Sequence, residues 1–291
     1  MNESPAIGII AARNKPEAQA LAAAIGDWLA TRGVNPRDEA ALLRDGGERV
    51  DLLIVLGGDG LMVRCGRMFP GLPLLGVNFG HVGFLTMVER RDWVPALERV
   101  LARDYRVQRG PTLQADLVRD GRRIEVDGRQ VINDVVIRSG PQLIELELYI
   151  NGQFVNLYPG DGMIVATPQG STAYCMSAGG PILTHGVRGF AVMPLNPHSP
   201  IRIPLVIEEE ALVELVCVSD RPSWLYLDGS YQDPPRLVRG DIVQVRRGEH
   251  PFALVLLEGM SFYNAVRDRF NFLIRPDTKP SRPALHPPPP R

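Results

Sequence analysis

The stretch Leu52-Leu53-Ile54-Val55-Leu56-Gly57-Gly58-Asp59-Gly60 decides the reading of this chain. An unbroken apolar run stops at three glycines set around one carboxylate. A run this short and apolar on both faces predicts a strand of a parallel sheet that is covered on each side. The glycines then fall at its carboxyl end, where open α/β sheets bind ligands and where residues without Cβ let a backbone turn sharply and approach a phosphate or sugar. Asp59 stands on that rim, either as a candidate for chemistry or as a turn residue that bonds its own backbone.

Around this stretch, strands and helices alternate. Ala6–Ala11 predicts a first strand, and the helix after it, running through Trp28, places Leu21, Ile25, Trp28 and Leu29 on one face, with Gly33 closing it. A short helical piece near Glu39–Arg44 precedes the central strand, and a helix over Leu61–Met68 starts directly after Gly60. Its amino terminus points at the same rim, where free N–H groups and the helix dipole favour an anion. Leu74–Val77 reads as another buried strand, leaving through Asn78-Phe79-Gly80-His81-Val82-Gly83-Phe84-Leu85, a second polar, glycine-rich loop at a strand end. Arg91–Arg103 predicts a helix with Pro95 near its first turn.

After Tyr105 the pattern changes to short alternating runs divided by Asp120-Gly121, Asp127-Gly128, Asn151-Gly152, Asp228-Gly229 and Arg239-Gly240, dipeptides that favour tight hairpin turns. The expectation is a mostly antiparallel β domain beginning between Tyr105 and Pro111. Within it, Asn133-Asp134 falls inside the strand pattern Val131–Arg138, where polar groups among Val and Ile require internal hydrogen bonds or a ligand. Between Gly160 and Pro181, a strand (Met163–Ala166) leads through Pro168 and Gly170 into a short helix that Ser171 or Thr172 would cap.

A length of 291 residues suggests about two domains. The formal net charge of −1 and the absence of long like-charged blocks leave no electrostatic footprint for nucleic acid or an anionic membrane. No apolar run approaches the roughly 18 residues of a membrane span, and no basic segment followed by an apolar one opens the chain, so a cytoplasmic protein is expected. Cys65, Cys175 and Cys217 are odd in number and far apart, which excludes a CxxC site and reads as reduced, structural thiols. Lysine occurs only at Lys15 and Lys279, and no GK[ST] phosphate loop is present. Phosphate is therefore expected to be held by backbone N–H groups, arginine or a metal.

Taken together, GGDG at Gly57–Gly60, NxGxxGFL at Asn78–Leu85, the pair Asn133-Asp134, and DGxIVATPxGSTAYxxSAGGP from Asp161 resemble the NAD kinases in order and spacing, from about Leu52 to Phe272. The resemblance implies a Rossmann-like α/β domain over residues 1–108, a β-rich NAD-binding domain over 109–259 and a returning carboxyl-terminal helix within 260–275. It implies transfer of the γ-phosphoryl group of ATP, with Mg2+, to the 2′-hydroxyl of the adenosine ribose of NAD, giving NADP. By motif position, Asp59 would be the catalytic carboxylate engaging that hydroxyl, and Gly57, Gly58 and Gly60 would admit the donor phosphates. Asn78 belongs to the same nucleotide-binding set, and Phe84 would line the adenosine site. Asn133 and Asp134 would bind ribose hydroxyls, while Thr172, Ala173, Tyr174 and Ser177 would contact adenine and its neighbours. Asp161 would face the nicotinamide end, and His198 lies where the family has a loop near the substrate. The family also implies a homodimer or homotetramer.

Three positions depart from the family pattern. Leu61 follows GGDG where many members carry Thr or Ser, Asp134 stands where many carry Glu, and Cys175-Met176 replace commoner polar residues. GGDG alone also occurs in diacylglycerol and sphingosine kinases, which keeps a lipid kinase and a non-catalytic NAD(P)-binding protein as alternatives. Against the first, no basic amphipathic helix is present; against a Rossmann oxidoreductase, Ala12-Arg13-Asn14-Lys15 follows the first strand in place of GxGxxG. The tail Pro280–Arg291 reads as disordered or polyproline-like and dispensable.

Overall fold

The computed structural model describes residues 5–80, 83–124, 126, 130–198, 202–229 and 233–274. His81, Lys279 and the Pro-rich tail lie outside them, as does the Asp127-Gly128 turn.

The first sheet is built on β1 (Ile7–Ala11), β2 (Leu52–Gly57) and β3 (Leu74–Asn78), mutually parallel and buried along their whole length. Between them run α1 (Pro16–Ala30), α2 (Glu39–Asp45) and α3 (Asp59–Met68), and β4 (Val88–Glu89), α4 (Trp93–Leu101) and β5 (Arg106–Gly110) come after. Alternation along β2 explains its unbroken apolar run. Leu52, Ile54 and Leu56 pack with Ile25 and Leu29 of α1 and with Leu97 and Val100 of α4. Leu53 and Val55 face the opposite way, against Leu42 of α2 and Met62 and Cys65 of α3. With a helical layer on each face, neither set of side chains can be polar. α3 begins at Asp59, two residues before the expected Leu61, so the carboxylate belongs to the helix's first turn.

The second unit comprises β6 (Leu113–Arg119), β7 (Arg122–Ile124), β8 (Asp134–Ser139), β9 (Ile144–Ile150), β10 (Gln153–Gly160), β11 (Gly162–Ala166), β12 (Gly189–Leu195), β13 (Leu205–Glu208), β14 (Val213–Cys217), β15 (Ser223–Leu227), β16 (Arg236–Leu237) and β17 (Ile242–Arg247). They form two antiparallel sheets, ordered β10-β9-β14-β17-β6-β7 and β13-β12-β11-β8-β15-β16. Leu117, Leu148, Leu215 and Val245 of one sheet meet Val135, Ile137, Met163 and Val165 of the other in a single core. On its outer face the second sheet is covered by the segment around α5 (Tyr174–Ser177), where Ile164 and Ala166 pack with Cys175 and Leu183.

Of the predicted hairpin turns, Asp120-Gly121 joins β6 to β7 and Asn151-Gly152 joins β9 to β10, with Asp120 and Asn151 at φ 49° and 52°. Arg239-Gly240 instead connects strands of different sheets. β18 (Phe252–Leu256) then leaves the sandwich and enters the first sheet between β3 and β5, parallel to the former and antiparallel to the latter. α6 (Phe262–Ile274) comes next, so the return to the first sheet starts one strand before the helix.

All three cysteines are buried and free, and burial raises their thiols, Cys65 to about 12 and Cys175 to about 11. Among the described residues no helix is long and apolar enough to cross a membrane.

Candidate functional site

The carboxyl ends of β1, β2 and β3 share one rim, and the loops leaving them are tied together there. Phe79 N–H donates to the Gly57 carbonyl (2.9 Å), and Ala12 N–H donates to that of Leu56 (2.9 Å). The Asp59 carboxylate accepts from the backbone N–H groups of Phe84 (2.8 Å), Leu85 (3.1 Å) and Thr86 (3.0 Å) and from the Thr86 hydroxyl (3.0 Å). It thus fixes the second glycine-rich loop to the first turn of α3. Gly83 is obligatory in this contact, since a Cβ there would stand 1.9 Å from Asp59 Oδ1. At Gly58 and Gly60, by contrast, a Cβ would meet nothing within 4 Å. No neighbour among the described residues demands glycine at those two positions, as expected where an outside group lies against the backbone. Gly57 differs, because a Cβ there would press on Leu61 (2.8 Å).

The Asn133-Asp134 pair approaches α3 from the other unit. Asp134 opens β8, with Asn133 just before it, and Ile132 packs into the α3 side of the first core. Asp228, which in the sequence has only the signature of a turn residue, organises this corner. Its carboxylate accepts from the backbone N–H groups of Ile132 (2.9 Å), Asn133 (2.6 Å) and Asp134 (3.3 Å) and lies 3.8 Å from the Arg67 guanidinium of α3. A cleft of about 640 Å3 opens here, lined in part by Gly60, Arg64, Arg67, Gln130 and Asp228. Asp134 is 4% exposed; burial, and then the neighbouring charge of Asp228, push its carboxyl up to about 7. Burial likewise raises Asp228, against the pull of its backbone donors and Arg67.

The Gly170–Ser177 stretch lies against the same corner. Thr167 donates its N–H to the Asn133 carbonyl (2.9 Å) and its hydroxyl to that of Ile132 (2.6 Å), while Thr167 Oγ1 accepts from Gly170 N–H (3.0 Å). Neither Ser171 nor Thr172 is a cap: the N-cap positions are Gln169 and Ala173, neither with a side-chain cap bond, and Thr167 Oγ1 closes the turn that precedes them. Ser171 donates to the Pro168 carbonyl (2.6 Å) and accepts from Leu183 N–H (2.9 Å), and Thr172 donates to the Gln169 carbonyl (3.1 Å). The segment is a 3-10 turn, Gly170–Thr172, and it leads into the four-residue α5, too short to act as an anion-binding helix end. A Cβ on Gly170 would stand 2.0 Å from the Asn133 carbonyl. Gly170→Ala is accordingly expected to cost about 1–3 kcal/mol of stability through forced separation of these segments. Gly58→Ala should leave the melting temperature unchanged; equal melting temperatures for both variants would refute the contrast.

Phe84 is 1% exposed, its ring 5.9 Å from that of Phe262 on α6, so in this structure it packs against the returning helix rather than facing an open cavity. His185, which belongs to none of the sequence motifs, is 2% exposed and meets Phe262 edge-on at 4.8 Å. Burial lowers its imidazole to about 4, against the pull of the Asp59 charge. Asn78 Oδ1, Asn133 Oδ1, Gln169 Oε1 and His185 Nε2, with Arg37 Nη1 elsewhere in the fold, are buried without a hydrogen-bond partner among the described residues. Buried polar atoms are seldom left so; of these, Asn78 stands on the strand beside Gly57 and His185 within reach of the Asp59 charge. Tyr174 is partly exposed, with the Arg138 guanidinium 5.7 Å from its ring centre, while Ala173 and Ser177 lie beside it on the same short element.

Asp161 and His198 are not brought to this corner. Asp161 precedes β11 and accepts from Asn196 Nδ2 (2.9 Å), and His198 N–H donates to the Pro159 carbonyl (2.7 Å). Asp134 pairs with Ala166 at the opposite end of β11, a separation of roughly 15 Å at the usual rise per residue.

The chain matches two family models, the ATP-NAD kinase N-terminal domain over residues 32–105 and the ATP-NAD kinase C-terminal domain over residues 132–257. It is 55% identical to an NAD kinase of Thermomicrobium roseum over 275 residues, covering 94% of each chain. An NAD kinase of Heliobacterium modesticaldum is 36% identical, with 91% of this chain and 98% of that one covered. Among solved structures, yeast NADH kinase complexed with NADH superposes with a TM-score of 0.81 at 21% identity, covering 97% of this chain and 91% of the other. An NAD kinase from Archaeoglobus fulgidus in complex with ATP gives 0.71 at 22% identity, covering 90% and 98%.

Proposed function

The chain belongs to the NAD kinase family, and on that premise we propose that the rim of the first sheet presents ATP to the 2′-hydroxyl of the adenosine ribose of NAD, yielding NADP. The observation that carries this placement is the pair of unpaired buried atoms nearest Asp59, Asn78 Oδ1 on the strand beside Gly57 and His185 Nε2, whose imidazole feels the Asp59 charge. The open backbone at Gly58 and Gly60 receives the donor phosphates at the amino terminus of α3. Asn133 and Asp134 take the ribose hydroxyls, Thr172, Ala173, Tyr174 and Ser177 the adenine side, and Phe84 supports the adenosine site from beneath. Asp59 orients the attacking hydroxyl and accepts its proton as the new bond forms; phosphoryl transfer through a loose transition state asks chiefly for alignment and charge neutralisation. We assign Asp161 to the nicotinamide end of an extended dinucleotide, His198 to a loop near the substrate, and a homodimer or homotetramer as the working assembly, which light scattering on a sizing column checks.

Among the described residues no three metal-ligating side chains converge. Mg2+ carried on the donor phosphates would bind through one or two carboxylates and substrate oxygens rather than a protein cage; Asp59, in the first turn of α3, is the carboxylate that would hold it. Bound there, Mg2+ supplies neutralisation of phosphate charge. Purified protein given NAD, ATP and Mg2+ is expected to form NADP, detected with an NADP-specific dehydrogenase, and EDTA in excess should abolish it. Absence of NADP with any donor would overturn the reading, and full activity in EDTA with metal-free reagents would remove the metal from it.

A further inference from the structure

A lysine reaches the rim proposed above to receive the donor phosphates. Lys15 ends the loop after β1, and its ammonium donates to the Phe79 carbonyl in the loop after β3. In the sheet, β2 lies between these two strands. The side chain joining the first loop to the third therefore passes across the carboxyl end of β2, where Gly57 and Gly58 turn into α3. Phe79 N–H in turn donates to the Gly57 carbonyl (2.9 Å), which places the Lys15 contact one peptide away from the glycine turn.

Each arginine around it has a carboxylate partner, Arg13 and Arg64 sharing Glu39, and Lys15 has none among the described residues. Arg13 lies 3.2 Å and Arg64 3.6 Å from Glu39, Arg90 lies 2.6 Å from Glu17, and Arg91 lies 2.9 Å from Glu89. Among the described residues Lys15 has only the neutral Phe79 carbonyl as partner. Its ammonium can make three hydrogen bonds, so two donors stay available. Close by is the unpaired Oδ1 of Asn78, a residue 6% exposed; a Cβ on Gly80 would stand 3.8 Å from Lys15 Nζ and 4.0 Å from that oxygen. An unmatched cation over a backbone open at Gly58 and Gly60 fits a polyanion approaching the amino terminus of α3.

We propose that Lys15 is a binding residue for the polyphosphate of the donor nucleotide, supplying from the β1–α1 loop the cation that phosphate loops carry on their own helix. The proposal rests on the assignment of this rim to ATP. It is tested by calorimetric titration of ATP with Mg2+, without NAD, into the full chain and its Lys15→Gln and Lys15→Arg variants, so that ATP affinity is read whether or not NADP forms. Gln keeps a donor for the Phe79 carbonyl and removes only the charge. The expected result is a roughly 10- to 100-fold weaker Kd for ATP in Lys15→Gln, as for loss of a charged hydrogen bond, with substantial recovery in Lys15→Arg. In turnover, KM for ATP should rise in parallel while KM for NAD stays within about twofold. Unchanged ATP affinity in Lys15→Gln, or equal rises in both KM values, would overturn the proposal. The unaltered protein gives an independent reading. With only two lysines in the chain, acetylation by an amine-reactive ester can be followed at each by mass spectrometry. ATP should slow modification of Lys15 and not of Lys279, NAD alone should slow neither, and equal labelling of Lys15 with and without saturating ATP would overturn the proposal even if Lys15→Gln failed to fold. A protein that binds ATP through Lys15 but makes no NADP would uphold this inference while removing the assigned reaction.

Discussion

Asp59→Asn is expected to lower kcat for NADP formation by at least about 10²-fold, the lower end of the range for loss of a general base, and to destabilise the rim in the same step. The second effect arises from the hydrogen bonds. Three backbone N–H groups and the Thr86 hydroxyl are directed at the two carboxylate oxygens, whereas an amide offers one oxygen and sets an N–H2 against donors. A loss of about 1–3 kcal/mol is expected from this mismatch. Activity and folding must therefore be measured together: single-turnover rate, NAD affinity and melting temperature on one preparation, well below the transition. Thr86→Val serves as the control, because it withdraws one donor yet leaves the carboxylate; it should lose stability with far less loss of rate. Near-native turnover in the folded fraction of Asp59→Asn would remove Asp59 from the chemistry and leave it as a loop anchor.

The second large effect concerns Asp134 and pH. Its carboxyl is raised from an ordinary 3.8 to about 7 by burial, with Asp228 adding to the shift. Arg67 is directed at Asp228, which takes the backbone N–H groups of this corner. Above about pH 7 Asp134 is a carboxylate able to accept two ribose hydroxyls; below it, one oxygen carries a proton. kcat/KM for NAD should therefore climb as pH rises through about 7, and Asp134→Asn should flatten that step while losing roughly 10- to 100-fold. Stability runs the opposite way. An acid whose folded pKa is raised holds its proton more tightly in the fold, so its contribution is greatest below the unfolded value near 3.8 and is lost as pH rises through about 7. Asp134→Asn should consequently melt higher than the native chain at pH 8, by several degrees, and the gap should close toward pH 4. Persistence of the pH step in the variant, or a lower melting temperature at pH 8, would contradict the assignment.

Much of this site is written locally. The apolar run of β2 announces a strand covered on both faces, because any polar residue there would have been buried. The glycines announce a rim, and among the described residues nothing asks for them at Gly58 and Gly60. The parts that are not legible are those whose meaning depends on distant partners. Asp228 in an Asp-Gly pair has the composition of a turn, and its three backbone donors come from residues nearly a hundred positions away. His185 acquires its environment from α6 and Lys15 from the loop after β3, neither of which periodicity encodes. The start of α3 falls earlier than its sequence suggests because glycine and aspartate have the composition of a turn, although an acidic residue in a helix's first turn is favoured by the dipole.

The place of β18 bears on how the chain is made. β5 joins the first sheet only through β18, and β18 also takes part of the edge of β3. While the protein emerges from a ribosome, its amino-terminal unit thus waits, with strand edge unpaired, until every strand of the β sandwich has been synthesised. Contacts of such long sequence separation slow folding and expose edges to wrong partners meanwhile. Sandwich and rim are consequently not two separable modules laid end to end. A prematurely terminated chain would carry every residue of the GGDG turn and still lack the strand that closes the sheet beneath it.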